Sequence, residues 1–270
     1  MPDQVTDYVA TVTGGAGPPV LLLAGGAASS HGFFPGVADA LPGHRIVSLD
    51  RPGTGRAQAA GAATLPTGSA AVARVLTELD AGPAVILGQS LGALLAVQVA
   101  IDHPELVAGL LLIDPTPVDL PGQLRSVSRV SRVIALPGKL PVLGPRVDRA
   151  LFRLMGRQLE ATPQTEEAIE VLLTSASLDA TARATRTLEA DAAALAPRLT
   201  RLDGPVVLLT ADRPADHPVR ASHERLVLAL GGRLVAPAGA IHAEQARDPD
   251  GINALLRDVV AQAFGGTTHR

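Results

Sequence analysis

Residues 84–92 read Ala-Val-Ile-Leu-Gly-Gln-Ser-Leu-Gly, an apolar run that stops at a Gly-x-Ser-x-Gly pentapeptide and leads into a proline-free, helix-like stretch reaching residue 102. A strand-length run passing straight into a helix places Ser90 on a sharp turn between them. Such a turn forces strained backbone, so positions 88 and 92 must be small, and glycine meets that demand at least steric cost. Ser90 is therefore a candidate nucleophile. The pentapeptide alone would be weak, because a chain with 27 glycines produces this spacing by chance; the strand before it and the helix after it give it weight.

Outward from this turn, strand-length apolar runs recur at 5–12, 19–24, 45–49, 84–88, 108–113, 205–210 and 233–236, mostly closed by Gly, Asp or Pro. Several are apolar on both faces, as strands covered by helices on both sides must be. Helix-like segments at 33–41, 68–80, 91–102, 217–230 and 250–264 lie between them. The alternation predicts an α/β fold with a mostly parallel sheet flanked by helices. Residues 117–200 break the pattern: Leu, Val and Arg recur there at helical spacing, interrupted by Pro137, Gly138, Pro141, Gly144 and Pro145. The expected organisation is a core of residues 1–116 and 201–270 with a helical cap, 117–200, inserted between two strands.

At 270 residues with 47% hydrophobic content, the chain can bury a sizeable core. A net charge of −3 gives no drive toward nucleic acid, which is not expected as a partner. The chain has no cysteine, which excludes disulfides and thiolate chemistry. Its opening residues lack a basic segment followed by an apolar one, and its apolar runs are strand-sized, so neither a secretory signal nor a membrane span is expected. The reading is cytoplasmic. Aromatic residues are only 2%, so a substrate pocket would be walled by aliphatic side chains.

A serine hydroxyl needs a base, usually histidine, and a carboxylate to orient that base. Among seven histidines, His242 is best placed, on the loop Pro-Ala-Gly-Ala-Ile-His after the last strand, which opens toward the same sheet edge as Ser90. His31, His44, His103, His217, His223 and His269 read as surface or capping residues; of these, His31 lies closest in sequence to the turn after the strand at 19–24.

The chain resembles the α/β-hydrolase fold family over nearly its whole length. The resemblance is carried by Leu-Leu-Leu-Ala-Gly-Gly at 21–26, Leu-Asp-Arg-Pro-Gly-Thr-Gly-Arg at 49–56, Gly-Gln-Ser-Leu-Gly at 88–92, Leu-Leu-Ile-Asp-Pro-Thr-Pro at 111–117 and Gly-Ala-Ile-His at 239–242. It implies an oxyanion hole formed by the backbone N–H of Leu91 with that of Gly26 or Ala27. Two positions depart from the family pattern. Ala24-Gly25 stands where His-Gly is usual, and Pro214 occupies the usual place of the acid. Asp114, at a strand end that some members use for the acid, is the first replacement; Asp216 is the alternative, and Asp212 a third candidate.

From Gln123 to Gln158, eight basic residues (Arg125, Arg129, Arg132, Lys139, Arg146, Arg149, Arg153, Arg157) face one acid, Asp148. A solvated lid face accounts for this, as does a basic amphipathic lid that meets an anionic partner such as an acyl carrier, a coenzyme A ester, a carboxylate substrate or a membrane surface. The acidic stretch that follows, Glu160, Glu166, Glu167, Glu170, Asp179, Glu189 and Asp191, offers intramolecular pairing instead. What the resemblance implies is a cofactor-independent serine hydrolase acting on a small-molecule ester, thioester or lactone with a mainly aliphatic acyl part. Pro214 and Ala24 leave a second reading open, a non-hydrolytic member such as a cyclase or a ligand-binding protein.

Overall fold

The computed structural model describes residues 8–57, 64–80, 82–136 and 175–265. Seven strands, β1 (Val9–Gly14), β2 (Gly17–Leu23), β3 (His44–Asp50), β4 (Ala84–Gln89), β5 (Val107–Ile113), β6 (Val206–Leu209) and β7 (Arg233–Val235), form one sheet. Their order is β1-β3-β2-β4-β5-β6-β7, and only β1 runs antiparallel to its neighbour. The chain winds one way from β2 to β3 and the other way from β4 onward. The crevice of such a sheet lies between β2 and β4, outside the carboxyl ends of the strands.

Alternation along each strand sends its residues to two separate cores. Leu21, Leu23, Ile86, Leu110 and Leu112 pack with α2 (Leu65–Glu78), α3 (Leu91–Asp102) and α7 (Pro218–Leu230) on one face. Val20, Leu22, Val85, Leu87, Leu111 and Ile113 pack with α1 (Val37–Ala40) and α8 (Pro249–Phe264) on the other. Covering both faces is why these strands read as continuous apolar runs.

Between β5 and β6 the described residues carry α4 (Pro121–Ala135), α5 (Ser175–Ala184), α6 (Leu188–Leu195) and a 3-10 turn, Ala196–Arg198. Leu188, Ala192 and Leu195 of α6 join the first core. Lys139, Arg146, Arg149, Arg153, Arg157 and Glu160, Glu166, Glu167 and Glu170 lie outside the described residues. Among the described residues no helix is long and apolar enough to cross a membrane.

Two helix starts differ markedly from the periodicity. The helix expected over 33–41 is only Val37–Ala40, because Gly36 at its start has φ 73. Phe33 and Phe34 instead pack edge to face, 5.3 Å apart, inside the second core. Helix α2 begins earlier than expected, at Leu65, where Thr64 accepts from Thr67 N and completes a reciprocal capping box.

Candidate active site

The turn at Ser90 has the strain its sequence implies. Ser90 has φ 53 and ψ −115 between the end of β4 and the start of α3. A Cβ on Gly92 would stand 2.1 Å from the Leu23 carbonyl oxygen, and one on Gly88 would stand 2.6 Å from Ala93 Cα, so neither position admits a side chain. Backbone in this region costs about 1–3 kcal/mol and persists only where its surroundings hold it. Here Ser90 N donates to Ile113 O at 2.9 Å and Ser90 O accepts from Thr116 N at 3.1 Å. Among the described non-glycine residues only Asp80, Ser90 and Asp114 have positive φ, and the last two stand at adjacent strand ends.

Asp114 follows β5, its side chain 2% exposed, and its Oδ2 accepts from His242 Nδ1 at 2.5 Å. Arg213 clamps the same carboxylate with two nitrogens, at 2.5 Å and 2.7 Å, and Ala211 N donates to Oδ1 at 2.9 Å. Burial by itself would raise the Asp114 carboxyl; the hydrogen bonds from Arg213 and His242, the electrostatic attraction of the imidazole and the Ala211 N–H together hold it well below the usual carboxylate range. Asp114 is therefore ionised, and its ion pair holds the Arg213 guanidinium above its ordinary value. A carboxylate accepting from Nδ1 fixes the proton there and leaves Nε2 as the basic nitrogen.

The histidine loop is anchored from three sides. Gln89, next to Ser90, donates from Nε2 to the His242 carbonyl at 2.9 Å. Asp212 Oδ2 accepts from Gly239 N at 2.7 Å, and the buried Glu244 accepts from Ile241 N at 2.8 Å. The imidazole is exposed, 56% by side chain, within a fixed backbone. Among the described contacts none joins Ser90 Oγ to His242. Such bonds often tighten only when substrate is present.

The turn after β2 lies over the serine, since a Cβ on Gly25 would be 3.0 Å from Ser90 Cβ. Buried Arg51 donates from one terminal nitrogen to Gly25 O at 2.8 Å and also to Gly26 O. Burial lowers the pKa of its guanidinium, opposed by the charges of Tyr8 and Asp50. Asp50 accepts from Ser30 N at 2.7 Å, from Ser29 Oγ at 2.9 Å and from Arg56 N at 2.9 Å, tying this turn to the 51–57 loop. With the Gly25 and Gly26 carbonyls held, the Gly26 and Ala27 N–H groups donate to no other group among the described residues. Leu91, first residue of α3, likewise has an N–H without an intrahelical acceptor.

Of the residues singled out from sequence, Ser90, Leu91, Gly26, Asp114 and His242 converge on this sheet edge. Asp216 does not: it is exposed on the loop before α7 and makes no described contact with His242. Pro214 accepts from His217 N at 3.0 Å and shapes that loop. His223, read from sequence as a surface or capping residue, is fully buried. Its Nε2 bonds the Pro115 carbonyl at 2.8 Å, which requires a proton there, and its Nδ1 meets Thr210 Oγ1 at 2.9 Å, 3.8 Å from Asp114 Oδ1. Burial lowers its pKa against the pull of Asp114, so it is a neutral part of the Asp114 surroundings. His217 does cap, its Nδ1 accepting from Val219 N at 3.2 Å. Sequence reasoning missed Arg51, Gln89, Arg213 and His223. Their only sequence signal is a polar residue at or just past an apolar strand end, and for His223 not even that.

Three comparisons bear on this arrangement. An esterase of Mycobacterium tuberculosis is 34% identical over 106 residues, 38% of this chain and 35% of the relative. An sn-1-specific diacylglycerol lipase of Xenopus tropicalis is 30% identical over 165 residues, 59% of this chain and 49% of the relative. The chain thus spans between about a third and a half of the length of these curated relatives. Among solved structures, a thermophilic esterase from Thermogutta terrifontis superposes with a TM-score of 0.71 at 21% identity, covering 95% of this chain and 93% of that one, a likeness of fold. The family profile described as alpha/beta hydrolase fold matches residues 18–224, a span that holds the Ser90 turn, Asp114 and Arg213, and by that match the chain belongs to the alpha/beta hydrolase fold family.

Proposed function

We propose that the protein is a cofactor-independent serine hydrolase acting on a carboxylic ester, thioester or lactone. The observation that carries this reading is the 2.5 Å contact between His242 Nδ1 and Asp114 Oδ2 at the strand end beside Ser90. It answers the difficulty raised by Pro214 and so weighs against a non-hydrolytic member. In the reading, Ser90 Oγ attacks the substrate carbonyl as His242 Nε2 takes the hydroxyl proton. The N–H groups of Leu91 and Gly26 hold the oxyanion, and the imidazolium is stabilised by Asp114. His242 then gives the proton to the leaving alkoxide or thiolate, leaving an acyl-serine. Water, deprotonated by the same nitrogen, attacks that ester, and the acid departs as Ser90 is regenerated.

The acyl part is mainly aliphatic, since the chain has only four Phe, one Tyr and no Trp to stack on a ring. The esterase and the lipase among its relatives support the reaction class. A fluorophosphonate probe tests it: wild-type protein becomes labelled on Ser90, and Ser90→Ala loses both labelling and p-nitrophenyl ester turnover, the latter by about 10⁶-fold. Unlabelled wild-type protein, or labelling that survives Ser90→Ala, overturns the proposal.

A further inference from the structure

Helix α4 has three distinct flanks. Leu124, Ser128, Ser131 and Ala135 recur at four, three and four and form its inward flank, of which Leu124 and Ala135 are buried and the two serines at least half-buried. That stripe packs on α5 and α6 and so fixes how α4 is rotated about its own axis. Arg125, Arg129 and Arg132, spaced four and three, follow on the neighbouring flank and line a groove of about 200 Å³. The turn between α5 and α6 supplies Arg186, and the first turn of α6 supplies Glu189, to the same groove. Four guanidinium groups thus share a small space with one carboxylate.

Glu189 is occupied by Arg125, at 2.5 Å. Arg132 spends its Nε on the Ser128 carbonyl at 3.2 Å, which leaves its two terminal nitrogens. Among the described residues, Arg129, Arg132 and Arg186 have no acidic partner. Three uncompensated like charges repel unless an anion lies between them. A planar guanidinium fork matches the oxygens of phosphate, and a phosphate monoester brings more charge and more acceptor oxygens than a carboxylate.

We propose that this groove binds a phosphate ester group. None of the residues lining the groove belongs to the Ser90 site, and the proposal does not depend on the hydrolase reading. Two sources share the chemistry, a soluble phosphate monoester and the headgroup of an anionic phospholipid. Exposed Val127, Val130 and Val133 on the remaining flank of α4 are compatible with the second.

Calorimetric titration of the full chain at low ionic strength, with inorganic phosphate, glycerol 1-phosphate and acetate, tests the chemistry. Co-sedimentation with phosphatidylglycerol or phosphatidylcholine vesicles tests the source. The expected result is saturable binding of glycerol 1-phosphate, of phosphatidylglycerol vesicles, or of both, with acetate weaker. That binding falls at least about tenfold in Arg129→Ala/Arg186→Ala, and falls with added salt. Circular dichroism melting of the double variant reports its folding, and Arg129→Lys/Arg186→Lys, which keeps the charge and loses the fork, binds at an intermediate level. Binding of the soluble ester alone assigns a free ligand, and binding of the vesicles assigns the lipid. The proposal is overturned if neither binds, if acetate binds as tightly as the phosphates, or if a folded double variant binds as the wild type does.

Discussion

Two arginine–carboxylate pairs in this protein close to the same distance in opposite surroundings. Arg213 reaches Asp114 at 2.5 Å, where the carboxylate is 2% exposed. Arg125 reaches Glu189 at 2.5 Å, where the two side chains are 52% and 41% exposed. The first pair belongs to a network in which each Asp114 oxygen has two partners, from Arg213, Ala211 and His242. The second is one contact between long side chains exposed to water. Separation alone therefore says little about strength. Desolvation makes the Asp114 contacts strong and makes losing one of them costly, whereas solvent screening and side-chain entropy offset most of the attraction at Glu189.

The contrast is most easily broken at its buried end, where the proposed mechanism places the acid. Asp114→Asn keeps the shape of the acid and removes its charge, and ester turnover is expected to fall about 10⁴-fold while Asp216→Asn stays near wild type. Equal rates in the two variants would detach Asp114 from the chemistry.

A second test moves to Arg51, which holds the carbonyls of the turn that the proposed mechanism uses for the oxyanion. Arg51→Met frees the Gly25 and Gly26 carbonyls, and kcat is expected to fall about 10²-fold with KM little changed, Arg51→Lys recovering part of the loss. A change confined to KM would mean that Arg51 shapes binding and leaves the oxyanion donors alone.

The third test is thermodynamic. The folded-state pKa of Asp114 is depressed, so its contribution to stability is fully present above the ordinary aspartate value near ~3.9 and is lost as pH falls below it toward the folded value. Melting temperatures measured down this range should fall less steeply in Asp114→Asn than in wild type. Parallel curves would show that other carboxylates set the acid limb.

The smallest effect addresses the comparison directly. Double-mutant cycles should give a coupling of about 1.5–3 kcal/mol for Arg213 with Asp114, and below about 1 kcal/mol for Arg125 with Glu189. Couplings of similar size would remove the distinction between the two regions.

Much of this architecture is legible in the chain. The doubly apolar runs at 84–88 and 108–113 imply covered strands, and the glycines at 88 and 92 imply the close approach that the structure shows at Leu23 and Ala93. The helix expected over 33–41 came out short because periodicity cannot see Phe33 and Phe34 turning into the core ahead of Gly36. The carboxylate partner of His242 is narrowed by sequence to three candidates, Asp114 first, without a decision among them. Asp114, Asp212 and Asp216 share a residue type and lie near strand ends, and they differ in where the backbone turns their side chains. Asp212 caps Gly239, Asp216 faces solvent, and Asp114, at φ 40, meets the imidazole.

The amino-acid sequence by itself determined the α/β alternation, the strained turn at Ser90 and the placement of His242 on the last strand-end loop, because these depend on local periodicity and on steric demands of neighbours along the chain. Only the tertiary structure decided that Asp114 accepts from His242, that Arg213 clamps it, that Arg51 holds the turn after β2, and that Arg186 joins the arginines of α4. Each of these joins residues 25 to 128 positions apart, or brings together helices whose relative rotation is set by packing. A contact of that kind depends on how the whole sheet twists and stacks, and no short stretch of sequence encodes it.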